Sequence, residues 1–185
     1  STTTWIGNIK VVIGVLPEVC SRHNPPSRAW AIPGIGRRVS GSRPALIVLH
    51  LEAEAHLVAS ALAIARAFPL YASKKGEWKE RTVVISAEHG GSTVEEAGLQ
   101  NSMDAVRAAA RLVDMPASEL HTDAFVEEAR SMAEAVGAGF EVIQGEDLDS
   151  QGFGGLWGVG KAAVYKPALV ILRHEPEGAT RSVAW

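Results

Sequence analysis

The run ALIVLHL, Ala45 to Leu51, decides the fold class of this chain. It is almost wholly apolar, which is typical of a strand covered on both faces. Apolar residues then recur at the spacing of one helical face: Leu57, Ala61, Ile64 and Phe68. A second β-branched run, RTVVISA (Arg81 to Ala87), follows that predicted helix. Strand, helix and strand in this order predict an α/β fold.

The residues before this run predict one strand and a long loop. IKVVIGVL, Ile9 to Leu16, is rich in β-branched residues and is closed by Pro17. Proline and glycine are frequent from Cys20 to Pro44, so this stretch is predicted to be loop, with one helical turn around Ser27 to Ile32.

Two helices are predicted in the middle of the chain. The first covers Asn101 to Val113 and stops before Pro116, with one apolar stripe: Met103, Val106, Ala110 and Val113. Thr122 is the predicted cap of the second, whose apolar stripe is Phe125, Ala129, Met132 and Val136. Gly137 and Gly139 mark its end. Ser92 and Thr93, each with a glutamate three residues on, also predict a capping box.

The last part of the chain predicts an unfinished sheet. Three strands are expected: FEVI (140–143), ALVIL (Ala168 to Leu172) and the terminal Ser182 to Trp185. A short acidic helix should begin at Glu146. Because natural proteins pair or cover apolar edge strands, we expect another segment or chain to complete this sheet.

The predicted organisation is an N-terminal α/β domain over residues 1–99, a connecting helix over 100–117, and an incomplete second α/β unit with a mixed sheet over 118–185. We find no internal repeat.

Composition narrows the classes of function. The 185 residues carry a net charge of -3, with basic and acidic side chains interspersed, so no basic block predicts nucleic-acid binding. The single cysteine, Cys20, fits a reducing compartment. No apolar run is long enough to predict a membrane span. We therefore expect a soluble, cytoplasmic protein that binds neither nucleic acid nor membrane.

The glycine-rich segment GFGGLWGVGKAA, Gly152 to Ala163, resembles two nucleotide-binding motifs without satisfying either. Gly155, Gly160 and Lys161 fit the start of a phosphate-binding loop, but Ala162 lacks the hydroxyl that ligates Mg²⁺. Gly158, Gly160 and Ala163 fit a dinucleotide fingerprint, but Pro167 arrives too early for the helix that must follow.

Candidate metal and catalytic groups are few. His50 and His56, with Glu52 and Glu54 between them, lie at a predicted strand-to-helix turn, where the glutamates more simply favour the helix N-terminus. Cys20 and His23 form a lone C-x-x-H without two further ligands.

The remaining candidates have simpler explanations. A solvated helix flank is the better explanation for one set of carboxylates: Glu127, Glu128 and Glu134. Asp147 and Asp149 fit the start of a short helix. The scattered tryptophans are expected in core or interface packing: Trp5, Trp30, Trp78, Trp157 and Trp185. We therefore assign no catalytic, cofactor-binding or metal-binding residue to this chain.

Two segments resemble a known family. AARLVDMPASELHTDAFVEEA (Ala109 to Ala129) and the run from Gly152 to Trp185 resemble the leucyl aminopeptidase (cytosol aminopeptidase) family, in particular its probable aminopeptidase-like branch, which also has an SRHN segment such as Ser21 to Asn24. Ser118 stands where the family usually has asparagine. The resemblance implies an N-terminal assembly domain, a connecting helix and a C-terminal catalytic domain.

The same resemblance implies what this chain does. The family uses two divalent metal ions, zinc or manganese with magnesium as a further candidate, to release N-terminal amino acids from peptides, and it forms hexamers. Its metal ligands come from DTGG and NTDAEGR motifs, and neither motif occurs here. The glycine-rich segment should then be a short helix ended at Gly158 or Gly160 because glycine tolerates φ > 0 and close packing, with Lys161 as a cation beyond its end.

Two functions follow from the resemblance. The first is the scaffold part of a two-metal exopeptidase that is inactive alone and is completed by a missing C-terminal catalytic segment or chain. The alternative is a non-catalytic interaction or structural protein derived from the same fold.

Overall fold

The computed structural model describes residues 1–39, 43–71 and 81–184. The chain divides into two compact units, Ser1–Asp114 and Met115–Trp185. Both units combine helices with strands, which confirms the predicted α/β class.

The first unit opens with an antiparallel hairpin of β1 (Thr2–Ile6) and β2 (Ile9–Ile13). Its two-residue loop places Gly7 at φ 59°, a conformation that glycine adopts without steric cost. The sequence analysis missed β1 and extended β2 to Leu16. The signal was a Gly-Asn pair between β-branched residues, which is a hairpin pattern.

A three-stranded mixed sheet follows, in the order β3-β4-β5. β3 (Ala45–His50) and β4 (Val83–His89) are parallel, and β5 (Ser92–Thr93) is antiparallel to β4. The capping box predicted at Ser92 and Thr93 is wrong, because Gly90 and Gly91, both at positive φ, turn the chain directly into β5.

The core of this unit lies between the sheet and α1 (Ile32–Gly36) and α2 (Leu57–Ala65). Ile32 and Ile64 are buried at its centre, and Ile47, Leu49 and Phe68 pack against them. Leu57, Ala61 and Ile64 of the predicted stripe are buried in α2, whereas Phe68 lies beyond the helix end and packs on the same core.

The prediction that ALIVLHL is covered on both faces is wrong for the described residues. Successive side chains of a strand point to opposite faces. Ala45, Ile47 and Leu49 are half-buried, whereas Leu46 is 65% exposed and Val48 44% exposed. One face of β3 is therefore covered, and the other is exposed to solvent.

α3 (Leu99–Asp114) packs against α2. It matches the helix predicted over Asn101 to Val113, and Arg107 Nε donates a hydrogen bond to the Phe68 carbonyl at 3.1 Å. Three residues of the predicted stripe are half-buried, but Val113 is 84% exposed.

The second unit contains α4 (Thr122–Val136) and the antiparallel pair β6 (Gly139–Gln144) and β7 (Ala168–Arg173). α4 packs against both strands. Its buried residues are Val126 and Ala133, whereas Phe125 and Val136 are exposed. The predicted stripe through Phe125 and Val136 is therefore wrong by about one residue.

Two short helices, α5 (Glu146–Ser150) and α6 (Gly154–Gly160), connect β6 to β7. The side chain of Leu148 in α5 is 0% exposed. Residues 182–184 form no strand, contrary to the prediction, while Trp185 and Trp78 lie outside the described residues. The described sheet of this unit is an antiparallel pair. The mixed sheet that was predicted would require a further strand parallel to β6 or β7.

None of the helices in the described ranges has both the length and the apolar character needed to cross a bilayer.

Candidate functional site

The carboxyl ends of β3 and β4 bring polar side chains to one edge of the first unit. His50 ends β3 opposite Glu88 of β4, and His50 Nδ1 forms an ion pair with Glu88 Oε1. His89 Nδ1 lies 2.9 Å from the Leu51 carbonyl oxygen. In open α/β sheets, ligands bind outside the carboxyl ends of the parallel strands, so we treat this edge as the candidate site.

The structure does not bring together the four side chains considered as ligands and set aside in favour of a helix N-terminus. His50 pairs with Glu88, while Glu52 accepts a hydrogen bond from Arg28 Nη1 at 2.8 Å. Glu54 and His56 lie on a separate 3₁₀ turn that precedes α2. Across the described ranges, no three histidine, cysteine or acidic side chains converge as a metal site would require. The described residues therefore show no arrangement that would hold a divalent ion pair.

Arg28 ties the proline-rich loop to this edge. Its backbone has φ 52°, the left-handed region that non-glycine residues seldom adopt. The guanidinium donates to Glu52, to the Pro26 carbonyl at 3.0 Å and to the Glu18 carbonyl at 3.0 Å. The side chain is only 14% exposed. The Arg28 guanidinium therefore joins Glu18 and Pro26 of the loop to Glu52.

We expect the Arg28 interaction to make stability depend on pH. The hydrogen bond from Arg28, followed by its positive charge, lowers the pKa of Glu52. The folded pKa then lies below the unfolded one, so the stabilisation is present above the unfolded pKa and is lost as pH falls through the folded pKa. NMR titration should show the Glu52 pKa rising in Arg28→Gln but not in the control Glu54→Gln. An unchanged Glu52 titration in Arg28→Gln would contradict the assignment.

A cavity of about 260 Å³ lies beside this edge, and we call it the β4–α3 pocket. Its apolar wall comes from α2, β4, α3 and the segment after β5: Leu57, Ile85, Ala87, Val94, Leu99 and Met103. The polar lining consists of Glu95, Glu96 and Gln100. Gln100 Nε2 donates to Asp104 Oδ2 at 3.0 Å. The sequence pattern had indicated Glu95 and Glu96 only as the glutamates of a capping box.

Cys20 and His23 are engaged separately. The Cys20 thiol donates to the Asn24 and Pro25 carbonyls at 3.3 and 3.4 Å. His23 Nε2 accepts from Arg22 Nε at 3.1 Å. Their contacts are local to the loop and do not form a shared ligand pair.

The glycine-rich segment is helical, which excludes the phosphate-loop geometry. Gly155 and Gly160 lie inside α6, where Trp157 N donates to Phe153 O at 3.2 Å and Lys161 N to Trp157 O at 2.8 Å. Backbone N–H groups used in this way cannot cradle a phosphate. The helix ends at Gly160, as the resemblance implied.

The reason for glycine at 160 is close packing alone. Neither Gly158 nor Gly160 has positive φ. A Cβ at 160 would lie 2.6 Å from the Cβ and Cγ of Pro167, whereas a Cβ at 158 would have no atom within 4 Å. Lys161 is the C-cap residue of α6, and a second cation, Lys166, donates from Nζ to the Lys161 and Ala163 carbonyls at 2.9 and 3.0 Å.

The carboxylates of the second unit have structural positions. Glu127 pairs with Arg130 on the surface of α4, with Nε and Oε2 3.4 Å apart. Glu134 is exposed on the same helix. Asp147 and Asp149 lie in the first turn of α5, where negative side chains are favourable. Asp123 Oδ1 accepts from Gln144 Nε2 at 2.7 Å, which joins α4 to β6.

The cap of α4 is His121, so the prediction of Thr122 is wrong. Imidazole Nδ1 of His121 accepts a hydrogen bond from Ala124 N at 3.3 Å, and Thr122 is the first helical residue. The ring also stacks on Tyr165 with centroids 3.6 Å apart. Threonine is the commoner N-cap residue, which is why the sequence favours Thr122. The stack of His121 on Tyr165, a residue distant in sequence, favours histidine instead.

We expect His121→Ala to destabilise the second unit by about 1 kcal/mol, because both the cap and the stack are lost. His121→Asn restores a good cap without the stack, so it should recover part of that loss. Chemical denaturation combined with hydrogen exchange of α4 measures both. Equal stability of the alanine variant and the parent would contradict the capping role.

Comparison with known proteins links both units to one group of enzymes. Residues 2–77 match a family model for the M17 aminopeptidase N-terminal domain 2, and residues 107–185 match one for the catalytic domain of the cytosol aminopeptidase family. The human probable aminopeptidase NPEPL1 is 40% identical over 186 residues, which cover 94% of this chain and 35% of the relative. Leucine aminopeptidase 1 of Caenorhabditis elegans is 36% identical, with 91% and 35% covered.

Solved structures give the same result. The C. elegans leucine aminopeptidase superposes with a TM-score of 0.79 at 36% identity, covering 89% of this chain and 34% of that one. The apo leucyl aminopeptidase of Trypanosoma cruzi superposes with a TM-score of 0.74 at 29% identity, covering 93% and 35%. This chain therefore spans about one third of the length of the relatives it matches.

Proposed function

Because this chain belongs to the M17 (cytosol) aminopeptidase family, we propose that it is the N-terminal part of an exopeptidase that releases N-terminal amino acids from peptides. The observation that carries this proposal is the succession of two family matches, residues 2–77 for the N-terminal domain and 107–185 for the catalytic domain. A match to the N-terminal domain alone would instead support a protein that takes part in assembly without catalysis.

Within that enzyme, we assign this chain a scaffold role. Residues 1–99 form the N-terminal domain, 100–117 the connecting helix, and 118–185 the first part of the catalytic domain. The second unit supports a scaffold role because Leu172 on β7 is 49% exposed and Val136 on α4 is 66% exposed. Apolar side chains beside unpaired strand edges favour packing against further protein. The remainder of the enzyme would supply it.

Two divalent metal ions, zinc or manganese with magnesium as a further candidate, would polarise the peptide carbonyl and generate a nucleophilic hydroxide when bound. In this proposal they are held outside this chain, because the family's ligand motifs are absent from its sequence. The complete protein would be a cytoplasmic hexamer that acts on peptides and binds neither nucleic acid nor membrane. The net charge of -3 agrees with the exclusion of nucleic acid.

The natural protein containing this chain provides the test. It should cleave leucine p-nitroanilide and should not cleave the N-acetylated substrate, because an aminopeptidase requires a free N-terminus. Chelation should abolish the activity, and zinc or manganese should restore it. Equal cleavage of both substrates, or no cleavage of either under any of these conditions, would contradict the proposal.

A further inference from the structure

The β4–α3 pocket is suited to a small apolar group. Its walls are aliphatic side chains and Met103, supplied by α2, β4, α3 and the segment after β5. Its volume of about 260 Å³ lies just below the roughly 300–1,000 Å³ of pockets that hold drug-sized ligands. A branched aliphatic side chain is therefore a suitable occupant, whereas a nucleotide is too large and too polar.

The rim of the pocket is anionic. Glu95 and Glu96 both line it, and neither carboxylate has a hydrogen-bond or ion-pair partner within the described part of the chain. Two adjacent carboxylates favour a cation and disfavour a second anion. The pocket therefore combines an apolar interior with a rim selective for positive charge.

We propose that the β4–α3 pocket binds the first residue of a peptide, with an apolar side chain inside and the α-ammonium group at Glu95 and Glu96. A peptide N-terminus carries the ammonium beside the side chain and has no carboxylate nearby. A free amino acid carries a carboxylate on the same carbon as its ammonium group, so the glutamates repel that carboxylate. The pocket thus distinguishes a peptide from the released amino acid.

This site lies in the first unit and makes no bond to the substrate's scissile group. It is a docking site that would raise the local concentration of peptides with apolar N-terminal residues. The link to peptide substrates rests on the proposed function, but the binding chemistry depends only on this pocket. Its test therefore needs no catalysis, and its failure is distinguishable from a failure of the hydrolysis assay.

The test is an NMR titration of the 185-residue chain with leucinamide. Amide signals of residues 85–103 should shift and saturate. Three matched probes each change one feature of leucinamide. 4-Methylpentanamide lacks the ammonium group, glycinamide lacks the side chain, and leucine has a carboxylate in place of the amide. Each should bind at least about fivefold more weakly, the effect of losing roughly 1 kcal/mol.

The double variant Glu95→Gln/Glu96→Gln should weaken leucinamide binding about fivefold and leave the binding of 4-methylpentanamide unchanged. Glu134→Gln/Glu146→Gln, in the second unit, is the charge-matched control and should bind like the parent. The proposal is overturned if leucinamide shifts no signal in residues 85–103, if leucine binds as tightly, or if the double variant retains full affinity.

Discussion

Replacing Gly160 with alanine should destabilise the second unit by about 1–3 kcal/mol, the usual cost of overpacking. The new Cβ would lie 2.6 Å from two carbons of Pro167 and 3.0 Å from a third. A proline ring cannot rotate away from the contact. Its backbone is also held, because Pro167 O accepts a hydrogen bond from Gly145 N at 3.0 Å. The strain must therefore shift α6 relative to β7.

Gly158→Ala is the matched control for this prediction. It lies in the same helix, and a Cβ there would meet no atom within 4 Å. Because alanine is a better helix former than glycine, we expect a gain of about 0.5–1 kcal/mol. Denaturation of both variants, with hydrogen exchange over residues 139–173 to locate the effect, separates close packing from helix propensity. Equal changes in the two variants would refute the packing explanation.

Leu148→Ala should be the most damaging single truncation in the second unit, at about 2–5 kcal/mol. Leu148 in α5 is 0% exposed. Its backbone is fixed as well, because Leu148 N donates to Gly145 O at 3.1 Å and Leu148 O accepts from Phe153 N at 2.7 Å. The removed methyl groups would leave a cavity that this tightly bonded turn cannot close.

Leu156→Ala in the adjacent helix α6 provides the comparison. Leu156 is 45% exposed, so its truncation in this chain should cost less than about 1 kcal/mol. Urea denaturation monitored by circular dichroism gives both free energies of unfolding. A loss at Leu148 no larger than that at Leu156 would show that α5 does not anchor the unit.

The sequence predicts elements well where hydrophobic periodicity is unambiguous. β3 and β4 appear within two residues of their predicted bounds, and α2 begins as predicted but ends three residues early, because an apolar strand and a helix have distinct patterns. The face of α4 was misassigned because Phe125 and Val126 are both apolar and adjacent, so periodicity alone does not select between them. Only packing against β6 and β7 does.

The features that were missed depend on contacts distant in sequence. The need for glycine at 160 arises from Pro167, and the choice of His121 as cap depends on Tyr165. At the candidate site, the pairing of His50 with Glu88 follows from the parallel register of two strands that are separated along the chain. The residues close to His50 in the sequence give no indication of this pairing.

We propose that this chain supplies the scaffold of an aminopeptidase whose catalytic residues lie elsewhere. The most direct measurement compares leucine p-nitroanilide hydrolysis by the 185-residue chain with that by a chimera, in which the chain replaces the equivalent segment of the C. elegans relative. We predict no hydrolysis by the chain alone and metal-dependent hydrolysis by the chimera. Hydrolysis by the isolated chain, or a folded chimera without activity, would contradict the claim.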